Sequence, residues 1–193
     1  MGLLIDQNGK YSNKDVVENV VRYVVRERKN ENRSDELVGW GVCGFTNNLS
    51  VEQLIHQMNA TQKIYDIDKR GGRRIRHQYY RFSENDQRFL NVHPEIALRI
   101  ADECAYIYFE AGFQVIYSVH LDTKWHFHIH FCINAINYTN GKKFSETIRT
   151  RYEREKMFDA ITRKYITIEK PIIFSGEYSD TGYYDEFLDL YYE

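Results

Sequence analysis

From His126 to Asn134 the chain alternates strictly, with His126, His128 and His130 at every second position and Phe127, Ile129, Phe131 and Ile133 between them. Alternate side chains of an extended strand share a face. The segment is therefore a strand with one apolar face for a core and one face of imidazoles. Four of the chain's seven histidines fall within the eleven positions from His120 to His130. The stretch before them, Phe113 to His120, also alternates and reads as a half-buried strand. Only a short connection separates the two, so a hairpin or nearby pairing brings His120 beside the row.

Imidazoles along an apolar strand are costly unless they are wet, hydrogen-bonded or bound to metal. His120, His128 and His130 make a three-nitrogen site for a divalent ion, with positions left open for substrate. Asp122 and Asn134 are spaced to orient the rings, and His126 completes the row behind the ligands. The bland alternative is a histidine-lined surface strand. The isolated His56 and His93 are read as surface or satisfied core residues. An iron site of two histidines and a carboxylate, built on His120-x-Asp122, needs a distant third histidine, and none follows His130.

Helices and strands mix along the rest of the chain. Ser12-Asn13-Lys14-Asp15 starts a helix, and Val16, Val17, Val20, Val21, Tyr23, Val24 and Val25 keep helical spacing to about Arg28. A charged loop, Lys29 to Glu36, precedes a strand at Trp40 to Phe45. Ser50 caps a helix carrying Val51, Leu54, Ile55, Met58 and Ile64 on its apolar face. A Gly71-Gly72 turn leads into a strand from Arg73 to Phe82, and Pro94 and Gly112 bracket a third helix. Thr147 to Tyr165 reads as a charged helix and Thr167 to Phe174 as a last strand, while Gly2 to Ile5 is too short to assign. The order predicts an α+β fold. Its central antiparallel β-sheet has the two histidine strands adjacent at the centre, with helices packed on the opposite face.

At 193 residues, with Pro 2 and Gly 11, the chain is expected to form one domain over 1–193 and is not a linker-rich or disordered segment. Cys43, Cys104 and Cys132 are odd in number and far apart, as buried hydrophobes in a reducing cytoplasm are. No apolar stretch is long enough to span a membrane, and no basic-then-apolar leader opens the sequence, so the expectation is a cytoplasmic protein without membrane insertion. The net charge of −2 hides an asymmetry. An acidic, tyrosine-rich tail from about residue 175 holds Glu177, Asp180, Asp185, Glu186, Asp189 and Glu193, and without these six the chain carries +4. The densest basic run is Lys69, Arg70, Arg73, Arg74 and Arg76; alone it reads as a solvated face.

The spacing His120-x-Asp-Thr, then His128-x-His130-x-x-x-Asn134, then Ala135-Ile-Asn-Tyr-Thr-Asn-Gly-Lys-Lys-Phe144, resembles the third motif of plasmid relaxases of the MOBP type. These mobilisation nucleases belong to the HUH endonuclease superfamily, named for a histidine pair flanking a hydrophobic residue, here His128-Ile129-His130. Counting back from Asn134 selects that pair over His126. Gly71-Gly-Arg-Arg-Ile-Arg-His77-Gln-Tyr-Tyr-Arg-Phe82 is similar to their basic strand, and Val21-Arg-Tyr23-Val-Val-Arg-Glu-Arg-Lys29 to their first motif, whose tyrosine is the nucleophile. The resemblance covers Asp15 to Phe144.

That resemblance implies a relaxase palm that nicks and rejoins single-stranded origin-of-transfer DNA to start conjugative mobilisation. Tyr23 is the implied nucleophile, forming a 5′-phosphotyrosine link, and Asp122 joins it as a catalytic residue. His120, His128 and His130 would hold Mn²⁺ or Mg²⁺. A free phenol titrates near pH ~10, so a tyrosine nucleophile needs activation by metal, base or a positive field. Lys69, Arg70, Arg73, Arg74, Arg76, His77 and Arg81 are candidates to follow the DNA backbone, with Tyr79 and Tyr80 as stacking surfaces. Accessory DNA-binding and coupling proteins of a conjugation system would be the protein partners. On spacing alone Tyr23, on the apolar face with Val16 and Val20, is more often a core aromatic, and only the motif match promotes it. Tyr152, within Arg151-Tyr-Glu-Arg-Glu-Lys156, is the alternative nucleophile of a rolling-circle replication initiator. A third reading is a silent single-stranded DNA-binding module.

Overall fold

Period-two alternation sets β4 (Val115–Leu121) and β5 (Phe127–Asn134) side by side as an antiparallel hairpin, with His120 directly opposite His128. The computed structural model describes residues 2–27 and 36–166. Three further strands, β1 (Leu3–Asp6), β2 (Glu36–Cys43) and β3 (Ile75–Arg81), complete a five-stranded sheet in the order β1-β3-β5-β4-β2. Every pairing is antiparallel, and β5 lies at the centre. The fold is α+β, as the sequence predicts.

Helices cover both faces of the sheet, where the sequence places them on one. On one face α5 (Pro94–Glu110) and α6 (Ile148–Tyr165) close a core over Val115, Val119, Phe127, Ile129, Phe131 and Ile133. On the other, α1 (Val16–Val24) and α2 (Val51–Ile64) pack over Ile75, Ile116 and Cys132, the face that also carries the histidines. The apolar stripe of α1 explains this. Its nine residues include Val16, Val17, Val20, Val21 and Val24, all buried. Valine is a weak helix former, so tertiary burial of this stripe holds the helix. Each fully buried side chain contributes about 1.5–3 kcal/mol.

Gly2 to Ile5 is part of a true edge strand, shifted by one residue, because β3 supplies four partners for Leu3 to Asp6. The turn before β3 uses Gly71 and Gly72 at φ of 63° and 87°, which side chains with a Cβ resist. Helix α5 starts on Pro94, with Gly112 at φ 86° just past its end. Between β3 and α5 lie residues with no clear apolar stripe, yet Ser83 and Asp86 form a reciprocal capping box and start α4 (Glu84–Val92). One short helix, α3 (Ile67–Arg70), precedes the glycine turn. Cys104 and Cys132 are buried, Cys43 is partly buried, and all three are free. No described helix is long and apolar enough to cross a membrane. The expected strand at Thr167 to Phe174, the acidic tail, and residues 29–35 of the expected charged loop lie outside the described residues, while Glu36, expected in that loop, already opens β2, four residues before the expected strand start at Trp40.

Candidate active site

Strand register assembles the site. With His120 facing His128 across β4 and β5, and His130 two residues along the same face, the rings lie 4.7 to 5.6 Å apart between centroids. One ligand atom from each of the three lies within 4.8 Å of the others, which among the described residues is the one such group of histidine, cysteine or acidic side chains. Burial pushes the His130 imidazole well below its ordinary pKa, with His77 and His120 adding to the effect. A neutral imidazole presents a lone pair, the form a metal requires. His130 Nε2 is buried with no hydrogen-bond partner. An orphaned buried nitrogen beside two more imidazoles fits a divalent cation.

Tyr23 projects from the last turn of α1, and its ring stands edge-on to His130 at 5.6 Å and to His77 at 5.7 Å. The helix stops at Val24, four residues short of the end expected from its spacing, and Arg26 takes a left-handed φ of 59°. His120 Nε2 lies 2.8 Å from the Val24 carbonyl oxygen and so donates to a carbonyl left open at the helix end. Arg26 Nη2 donates at 3.0 Å to His120 Nδ1, the one lone pair that this ring has left, so His120 can ligate a cation only where this contact gives way; the guanidinium sits 5.3 Å from the centre of the Tyr23 ring. Arg26 lies in the quoted tyrosine motif, but spacing gave it no role. Its position depends on a turn that no glycine or asparagine signals.

A cleft of about 490 Å³ opens over these groups, lined among others by Tyr23, Tyr79, Arg81, Lys124, His128 and His130. Asp122 also lines it but touches none of the three clustered rings by hydrogen bond. Its Oδ1 accepts from the backbone N–H groups of Lys124 and His126, at 2.8 and 2.9 Å, and so shapes the β4–β5 turn. Burial raises the Asp122 pKa, but these two N–H groups outweigh it and hold the carboxyl below its usual range. His126 falls just before β5, its ring between Asp122 Oδ2 at 3.5 Å and Glu84 Oε2 at 3.7 Å. Asn134 is remote from the rings. Its amide donates to the Met58 carbonyl and Gln114 Oε1, and its Oδ1 accepts from Gln62.

The basic strand divides in two. Arg74 is 9% exposed, paired with Asp68 and donating to Gln62 Oε1. Arg76 pairs with Asp6 at 3.2 Å and lies over Phe144, and Arg70 donates to the Gly141 carbonyl. Arg74 and Arg76 are thus taken up inside the fold. Lys69, Arg70 and Arg81 are exposed and Arg73 partly so, with Lys69 3.7 Å from Asp66 and Arg81 donating to Glu84 at 3.1 Å. Tyr80 is fully buried in the α5 core, so it cannot stack on a base, while Tyr79 is half-buried in the cleft. His77 is buried too, which corrects its expected place on a DNA-facing surface; burial, with the neighbouring His120, pushes its imidazole down to about 4. Tyr152 sits on α6, which packs on α5 and β1, away from the histidine face.

A family model described as relaxase, MobA/VirD2-like, nuclease domain matches residues 23–166. The span begins at Tyr23 and contains all three clustered histidines. No curated protein matches the chain.

Proposed function

Because this chain belongs to the relaxase family of MobA/VirD2-like nuclease domains, we propose that it nicks and rejoins single-stranded origin-of-transfer DNA through a covalent link to Tyr23. The observation that carries this reading is the Tyr23 ring edge-on to His130, both lining one cleft. Tyr23 Oη attacks phosphorus, the 5′ phosphate passes to the phenol oxygen, and the 3′ oxygen leaves with the electron pair of the broken bond. The proton lost by the phenol balances the one gained by the 3′ oxygen. The link conserves the bond energy, so the 3′-OH can reverse the step. Arg26 places a positive charge beside the phenol, where negative charge gathers as the proton leaves. When held by His120, His128 and His130, a divalent ion, Mn²⁺ or Mg²⁺ on the family resemblance, supplies charge to the anionic oxygens of the scissile phosphate. Asp122 keeps Lys124 and His126 at the rim by shaping their turn.

An unpaired strand fits a cleft that Tyr79 can floor by stacking and that Arg81 and Lys124 line with charge, with Lys69 and Arg73, before the start of β3, as a basic extension of its path. The reading completes itself as a single domain over 1–193 in a bacterial cytoplasm, working with accessory and coupling proteins of a conjugation system. Neutralising four phosphates predicts a single-strand affinity that falls about 50-fold between 50 and 200 mM salt, measured by fluorescence anisotropy. A flat salt dependence removes the groove.

The deciding experiment mixes the protein with Mn²⁺ and a random pool of single-stranded oligonucleotides. A denaturant-resistant protein–DNA adduct is then digested and the modified residue mapped. The expected residue is Tyr23. An adduct on Tyr152 makes the chain a replication initiator instead, and single-strand binding without any metal uptake makes it a silent DNA-binding module.

A further inference from the structure

His77 stands on β3 two positions from Tyr79, the direct partner of His130, and so on the same face, and the two rings meet through nitrogen. His77 Nε2 lies 3.0 Å from His130 Nδ1, and His77 Nδ1 lies 3.2 Å from Tyr11 Oη. The Tyr11 backbone is pinned in turn: it holds a left-handed φ of 47°, and its carbonyl accepts from Arg74 N at 2.8 Å. Two neutral imidazoles sharing a hydrogen bond need one donor and one acceptor. Were His77 the donor, His130 would carry its proton on Nε2, a buried N–H with no acceptor, which costs about 1–3 kcal/mol. With the polarity reversed, His130 Nδ1–H donates to His77 Nε2, His77 Nδ1–H donates to Tyr11 Oη, and His130 Nε2 is left as a lone pair.

We propose that Tyr11 and His77 are positioning residues that lock His130 in the Nδ1–H tautomer, so that Nε2 is presented to a divalent cation together with His120 and His128. The role is the one a carboxylate or carbonyl commonly plays behind a metal-bound histidine. Here a third strand supplies it through a neutral ring. The inference rests on reading the three histidines as a metal site, but its central claim, the tautomer, is a property of the metal-free protein.

The test has two arms. In the first, Co²⁺ is titrated calorimetrically into the full chain without DNA. His77→Leu is expected to bind about 10–100-fold more weakly than wild type. His77→Gln, whose amide oxygen can accept from His130 Nδ1–H, is expected to recover to within about threefold, which a merely structural role would not produce. In the second arm, side-chain ¹⁵N spectra of metal-free wild type are expected to show His130 protonated at Nδ1 and bare at Nε2. A folded His77→Leu protein that binds Co²⁺ like wild type overturns the proposal, as does a His130 proton on Nε2. If His77→Leu fails to fold, Tyr11→Phe replaces it, and an unchanged His130 tautomer balance and Co²⁺ affinity there are equally fatal. A wild type that takes up no Co²⁺ defeats the metal reading of the triad, while the spectra still decide the tautomer.

Discussion

Tyr23→Phe is expected to lower covalent adduct formation by at least about 10³-fold, the scale on which losing a covalent nucleophile acts. The substitution removes one oxygen and keeps the ring, so the edge-on contacts with His77 and His130 at 5.7 and 5.6 Å are retained. Single-strand affinity and the divalent-cation affinity should therefore stay at wild-type values. Adduct is read by denaturing gel with a labelled oligonucleotide recovered from the pool experiment, affinity by anisotropy. Undiminished adduct in the variant removes Tyr23 from the reaction and returns attention to Tyr152, although that residue sits on a helix packed over the far side of the sheet.

His128→Ala is expected to weaken divalent-cation binding by more than about 100-fold, beyond the 10–100-fold range for losing a partner that only supports a ligand. His128 is half-buried at the cleft and its backbone is held by ladders to β3 and β4, so truncation removes a nitrogen without opening the core. Nicking should fall with the metal. Chelation of wild type by EDTA should reproduce the loss, and added Mn²⁺ should reverse it. Nicking that survives both the substitution and the chelator overturns the metal reading of His120, His128 and His130.

The histidine site was legible because a strand's period is two, and no other local structure puts His128 and His130 on one face with Ile129 on the other. The short link to the preceding strand then fixed His120 as their neighbour. Tyr23 was different. Its spacing places it on a valine-rich helix face, and only the likeness of its surroundings to a known motif raised it above a core residue. His77 was visible as a residue of an alternating strand, but its partner was not. That depends on β3 pairing with β5, a choice made across some fifty positions of chain that no local pattern encodes. The basic run misled for a related reason. Charge is read from sequence, whereas Arg74 and Arg76 are taken up by Asp68 and Asp6, which the sheet edge and the glycine turn bring to them. Helix α4 lacked an apolar stripe, though Ser83 and Asp86 at capping-box spacing were a usable signal.

The bond from His120 to the Val24 carbonyl has a mechanical consequence. It staples the end of the helix that carries Tyr23 to the strand that carries His120, one residue from the tyrosine itself. On the proposed link, a severed 5′ end attached to Tyr23 would be moored to the sheet and would not drift on a loose tether. The gap between the two DNA ends is then set by the palm and not by diffusion. In that mechanism the anchorage would keep the break in register, and resealing would retrace cutting with no search.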